Sequence, residues 1–188
     1  MSETTCVVNN KSILIAGDVK GNFKPLLKRL NKFDFAICVG ETLAIGDQLS
    51  ELLSGKQEIP RPIYFIDNGP LMHFLNIKYP KGGELVKNLI YLGHSGLKEI
   101  EGGFKTFFVS GKEDLRKYDP RTDENEKLMK NCNFYTETEL VQKAEELTKQ
   151  PEFNGIDFLL TSEWPSNIEE EQNSEPKKDS EILSNLAF

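Results

Sequence analysis

The 188-residue sequence predicts an α/β fold in which parallel strands come first and antiparallel strands follow. Three observations carry this expectation. Up to Pro70, short apolar runs alternate with amphipathic stretches, the rhythm of strand, crossover helix and parallel strand. Those runs end in loops rich in Gly, Asp and Asn. Further on, Gly102-Gly103 separates two short strand-like runs, which reads as a β-hairpin.

The elements follow in chain order. Residues 1–10 are short and polar and are expected to be a flexible N-terminus. Ser12 to Ala16 reads as a buried strand that ends at Gly17-Asp18. Gly21-Asn22 then opens a helix, because Phe23, Leu26, Leu27 and Leu30 recur at helical spacing and would face a core. Asp34 to Val39 is a second apolar strand, ended by Gly40. Leu49, Leu52 and Leu53 suggest a helix closed near Gly55. Ile63 to Ile66 is a third strand, bracketed by Pro60 and Pro62 and by the turn Asn68-Gly69-Pro70. Leu71 to Phe74 reads as a short helix, and Leu89 to Leu92 as a short strand. Lys98-Glu99-Ile100 and Phe104 to Val109 form the hairpin. Glu137 to Lys149 is a helix whose Leu140, Ala144 and Leu147 share a face, and Ile156 to Leu160 is a final strand. The folded domain is expected over 11–165. Residues 166–188, rich in Glu, Asn, Ser and Lys, read as a mobile tail or linker. Its closing Ile182-Leu183 and Leu186-Ala187-Phe188 read as a return to the fold or the start of another element.

Composition excludes several functions. With 30 acidic and 23 basic residues the net charge is −7, which disfavours non-specific nucleic-acid binding. Lys20, Lys24, Lys28 and Arg29 make a local basic set, read here as a solvated helix face. Cys6, Cys38 and Cys132 form no zinc spacing, and an unpaired set fits a reducing compartment. No apolar run approaches the ~20 residues a membrane helix needs. Neither Gly17 to Asn22 nor Gly111-Lys112-Glu113 is a phosphate-binding P-loop, since Gly-Lys-Ser/Thr is missing.

In an α/β sheet the loops after the strands' carboxyl ends host ligands. Here they read Gly17-Asp18-Val19-Lys20-Gly21-Asn22, Gly40-Glu41, Asp67-Asn68-Gly69-Pro70, Ser110-Gly111-Lys112-Glu113 and Thr161-Ser162-Glu163-Trp164-Pro165. In this order they resemble the loops of calcineurin-like metallophosphoesterases. That family carries Asp-x-His-Gly, Gly-Asp and Gly-Asn-His after its first three strands, and holds two metal ions. The resemblance implies a calcineurin-like metallophosphoesterase fold, a two-sheet β sandwich flanked by helices. Residue by residue, little of the ligand set remains. Asp18 matches the first aspartate, but Lys20 stands at the histidine. Glu41 stands at the bridging aspartate. Asn68 matches the asparagine, and Gly69 replaces the histidine after it. Ser162 stands where a metal histidine is expected, and the chain has two histidines in all, His73 and His94, neither at a motif position. A protonated lysine offers no lone pair to a metal. The implied reading is a pseudo-enzyme with vestigial metal positions, no catalytic residue and no cofactor.

A narrower resemblance is to the N-terminal domain of the CwfJ family, the Cwf-nineteen-like splicing factors related to the RNA lariat debranching enzyme. It rests on Gly17 to Phe23, Cys38-Val39-Gly40, Tyr91-Leu92-Gly93 and above all Asp157 to Pro165, with its Leu-Leu-Thr-Ser-x-Trp-Pro stretch. It implies a protein-interaction platform in pre-mRNA splicing or intron-lariat turnover. Spliceosomal proteins and the debranching enzyme are the implied partners, RNA contact is only indirect or through further domains, and the location is nuclear. Asn22, Glu163, Trp164 and Pro165 are the candidate interaction surface. The plainer readings are that Asn22 caps the first helix and that Trp164 is a core anchor. His73 reads as a packing or surface residue and His94 as a turn residue. Two alternatives stand beside this. One is a metal-dependent phosphodiesterase using Asp18, Glu41 and Asn68. The other is a nucleotide-binding α/β domain that offers the amides of its first helix to an anion.

Overall fold

A computed structural model describes residues 2–8, 10–113, 134–149 and 153–163. The elements are β1 (Ser2–Val8), β2 (Lys11–Gly17), α1 (Phe23–Leu30), β3 (Phe35–Cys38), α2 (Asp47–Leu53), β4 (Ile63–Phe65), α3 (Met72–Lys78), β5 (Gly83–Val86), β6 (Leu89–Tyr91), β7 (Ser95–Ile100), β8 (Phe104–Val109), β9 (Lys112–Glu113), β10 (Phe134–Tyr135), α4 (Glu137–Thr148) and β11 (Phe158–Thr161).

The larger sheet runs β1-β2-β3-β4-β6-β5. Its centre, β2 to β6, is parallel, and antiparallel β1 and β5 flank it. The smaller of the two main sheets runs β11-β8-β7, with β7 and β8 antiparallel and β11 parallel to β8, and β9 and β10 form a separate parallel pair. The β7–β8 hairpin turns at Gly102 and Gly103, both at positive φ.

Strand alternation divides the core into layers. Leu14, Ala16, Ala36, Cys38, Ile63 and Phe65 face Phe23, Leu26 and Leu30 of α1, Leu49 and Leu52 of α2 and Leu75 of α3. Their sequence neighbours Ile13, Phe35 and Ile37 point the other way, onto Phe104, Phe108 and Leu160 of the smaller sheet. Phe35 meets Tyr64 edge-on at 5.8 Å and Phe104 at 6.1 Å between ring centroids. On the far side of the smaller sheet, Phe107 and Val109 pack with Leu140, Leu147 and Tyr135. The described residues therefore stack as helix, sheet, sheet, helix. A strand's period of two supplies both faces of a central sheet only when nearly every residue is apolar, as Phe35–Cys38 is.

The expectation of an α/β fold with two sheets and outer helices agrees with this arrangement. Two details differ. Residues Ser2–Val8, expected to be flexible, form the edge strand β1, paired residue for residue with β2 from Ser2↔Gly17 to Val8↔Lys11. Its polar sequence hides it, because an edge strand with exposed Thr4 and Thr5 needs no apolar run. Strand β5 escapes for a similar reason: it is half-buried and begins at a Gly82-Gly83 pair. Residues 166–188 lie outside the described residues.

Candidate functional site

The loops at the carboxyl ends of the parallel strands come together, and backbone geometry explains how. Lys20 takes a positive φ of 49°, which turns the chain after β2. Its N–H then donates to the Glu41 carbonyl at 2.8 Å, and Gly21 N–H to the Thr42 carbonyl at 3.0 Å. The loop after β2 is thereby zipped to the loop after β3. Gly40, at φ 73°, gives this junction its close approach: a Cβ there would stand 2.0 Å from Asp18 Oδ1.

The loop residues singled out from sequence occupy this junction and bind one another. Asp18 Oδ1 accepts the Glu41 N–H at 3.0 Å, and its Oδ2 lies 3.2 Å from the Lys20 ammonium. The Glu41 side chain leans against Gly69, whose absent Cβ would meet Glu41 Cγ at 2.8 Å. Asn68 donates its amide to the Ser162 carbonyl at 2.8 Å. Ser162 in turn donates its hydroxyl to the Gly111 carbonyl at 2.6 Å. So contacts link Asp18 with Lys20 and Glu41, Glu41 with Gly69, and Asn68 with Ser162. Among the described residues no three of His, Cys, Asp and Glu could hold a metal ion.

Asp67 was not singled out from sequence, yet it organises the site. It is wholly buried at the end of β4. Its carboxylate accepts the Gly69 N–H at 2.6 Å and the Leu43 N–H at 2.8 Å, and its carbonyl accepts the Gly111 N–H at 2.8 Å. Three loops thus converge on one residue. Burial, with the Glu41 charge nearby adding to it, pushes the Asp67 carboxyl up to about 6, although the Gly69, Leu43 and Thr42 amides oppose this. The available signal was an ionisable residue closing an apolar strand.

The candidate interaction surface fares unevenly. Asn22 stands at the N-cap position of α1, but its side chain caps nothing there. It accepts instead from Gln48 Nε2 at 3.3 Å, while Gln48 Oε1 receives the Lys24 N–H at 3.0 Å. The cap of α1 is therefore supplied by α2, which corrects the capping reading of Asn22. Glu163 Oε2 is engaged inside the protein, accepting the Glu113 N–H at 2.6 Å and the Tyr135 hydroxyl at 2.9 Å. Trp164 and Pro165 lie outside the described residues.

Neither histidine belongs to the converged loops, although the His94 carbonyl accepts the Ser110 N–H at 2.7 Å. His73 is exposed on α3. His94 is more than a turn residue, since its Nε2 lies 3.7 Å from Glu139 Oε1 on α4. Ser95 Oγ and Lys143 Nζ also reach that oxygen, each at 3.1 Å. Burial would raise the Glu139 carboxyl, but His94 and Lys143 together hold it down at about 2. This cluster fastens α4 to β7.

No protein-family model matches the chain. It is similar to a CWF19-like protein 1 homolog of Caenorhabditis elegans, with 32% identity over 93% of this chain. It is also similar to a CWF19-like protein 1 homolog of Drosophila melanogaster, at 30% over 88%, and to the human CWF19-like protein 1, at 26% over 93%. These similarities support kinship with the Cwf-nineteen-like family. The chain spans about a third of the length of these relatives, 32% of the nematode protein.

Proposed function

We propose that this chain is the metallophosphoesterase-like domain of a Cwf-nineteen-like splicing factor, silent as a catalyst and used as a protein-interaction platform in pre-mRNA splicing or intron-lariat turnover. One observation carries the reading. The positions that would hold metals are gathered by the fold and then spent on each other: Asp18 on the Lys20 ammonium and the Glu41 amide, Asn68 on Ser162.

The residues present do not fit a two-metal centre. Two-metal hydrolysis needs clustered carboxylate and imidazole ligands around ions ~3.5–4 Å apart. Here an ammonium bonds the first carboxylate, and its charge opposes a cation in the same place. Glu41 reaches one methylene further than the expected aspartate and fills the space against Gly69, so a histidine side chain at 69 has no room. Each departure accommodates another, which supports a settled structural role for these loops. The domain reading, 11–165 with a linker over 166–188, belongs to the same proposal, with its start moved to Ser2 to include β1. Spliceosomal proteins and the lariat debranching enzyme are the proposed partners, and the nucleus the proposed location.

Metal binding tests the silent site. Elemental analysis and calorimetric titration with manganese, zinc and magnesium are expected to show no micromolar binding. Two tightly bound metals per chain, with turnover of a phosphodiester lost in Asp18→Ala, would overturn the reading. The platform role is tested by pull-down from nuclear extract. Trp164→Ala is expected to weaken capture of splicing proteins without changing the thermal unfolding midpoint. Unchanged capture would remove Trp164 from the surface.

A further inference from the structure

Helix α1 carries a lysine where its dipole favours an acid, although Lys28 and Arg29 in its last turn suit that dipole. Its first turn contains Lys24 and no acidic residue, although the positive end of the helix dipole favours acids there. Lys24 and Lys28 stand four residues apart, a like-charge spacing that destabilises a helix. Lys32 extends the line just past the helix end. From Val19 to Phe33 there is no acidic residue at all, in a chain where acids outnumber bases by 30 to 23. Lys24, Lys28 and Lys32 are exposed, and among the described residues none of the three has an ion-pair partner. Phe23, Leu26 and Leu30 anchor the opposite side of the helix in the core. The lysines are thus presented on a fixed ridge, at intervals of about 6 Å.

We propose that this ridge binds a carboxylate-rich segment of a partner protein. The proposal deepens the interaction-platform reading by naming a partner chemistry, but it does not depend on whether the neighbouring loops bind metal. Three further observations favour a protein segment over a nucleic acid. The ridge has no exposed aromatic residue on which a base would stack, since Phe23 is buried and Phe33 packs against the core. An apolar anchor point borders it instead. Ile45 is 85% exposed and lies between Ala44, which sits against Gly21, and Gln48, which bonds the Lys24 amide. The net charge of −7 also repels a long polyanion while leaving local attraction to a short acidic stretch.

Fluorescence anisotropy on the full chain tests this. The probes are a labelled glutamate-rich peptide with a central leucine and a labelled single-stranded RNA of equal charge. The peptide is expected to bind in a salt-dependent way. Lys24→Gln/Lys28→Gln/Lys32→Gln should weaken it on the order of tenfold, as several partly screened ion pairs are lost. Ile45→Ser should weaken it as well. A second variant separates binding from folding. Lys24→Glu should weaken peptide binding yet raise the thermal midpoint, because it places an acid in the first turn, four residues before Lys28. Peptide binding that survives the triple substitution, or that shows no salt dependence, would overturn the proposal. So would RNA displacing the peptide from the same lysines.

Discussion

At the scale of single residues, Asp67 makes the sharpest prediction. Its carboxyl is pushed up to about 6 by burial, against an ordinary value of 3.8. The folded state therefore binds a proton more tightly than the unfolded chain. This contribution is fully present below about pH 4 and is lost as pH rises through about 6, by an amount on the order of 3 kcal/mol. Glu139 has the opposite sign. Its carboxyl is held at about 2, so its stabilisation is present above about 4.5 and lost as pH falls through about 2. Urea midpoints measured across pH 2 to 8 should show both effects. Asp67→Asn should remove the gain on acidification from neutral pH, and Glu139→Gln should flatten the loss in strong acid.

Gly40 is constrained twice. Its φ of 73° disfavours any side chain, and a Cβ would strike Asp18 Oδ1. Gly40→Ala should cost about 2 kcal/mol or more, read as a drop in the denaturant midpoint. Gly69 differs, since its backbone is not in the positive-φ region and the two nearest atoms that crowd it belong to side chains, Glu41 Cγ and Asp67 Oδ1, with the Leu43 carbonyl oxygen further off at 3.3 Å. The combination Lys20→His, Glu41→Asp and Gly69→His should therefore gain manganese affinity over the parent. Gly69→His alone should gain none. Calorimetric titration of the two variants decides this.

At the scale of elements, the two longer helices begin differently. Thr136 caps α4 by accepting the Glu139 N–H at 3.3 Å. The sequence Thr136-Glu137-Thr138-Glu139 matches a capping box, in which the glutamate would return to the cap. Glu139 instead turns to Ser95, Lys143 and His94. Thr136→Ala should cost about 1 kcal/mol, with faster hydrogen exchange in the first turn of α4. Helix α1 has no side-chain cap of its own and borrows Gln48 from α2. Gln48→Ala should thus loosen the first turn of α1 although the mutation lies on another helix, an effect that amide exchange would register.

At the scale of the whole molecule, the apolar order of the chain was legible. Ile13 to Ala16 and Phe35 to Cys38 are continuous apolar runs, which told of a sheet covered on both faces. Gly102-Gly103 told of the antiparallel hairpin. The loop residues Asp18, Lys20, Glu41, Asn68, Gly69 and Ser162 were also legible, because each follows an apolar run that had to be a strand. Strands β1 and β5 were not, because edge strands bury too little to leave a hydrophobic signature. The sequence by itself thus determined the layers and the absence of histidine from these loops, since local apolar period and residue identity suffice for both. Only the tertiary structure decided that Lys20 neutralises Asp18, that Gln48 caps a helix not its own and that Asp67 ties three loops. The Lys20–Asp18 contact depends on a backbone turn at positive φ, and the Gln48–Lys24, Asp67–Leu43 and Asp67–Gly111 contacts join residues more than twenty positions apart; neither local spacing nor composition carries that information.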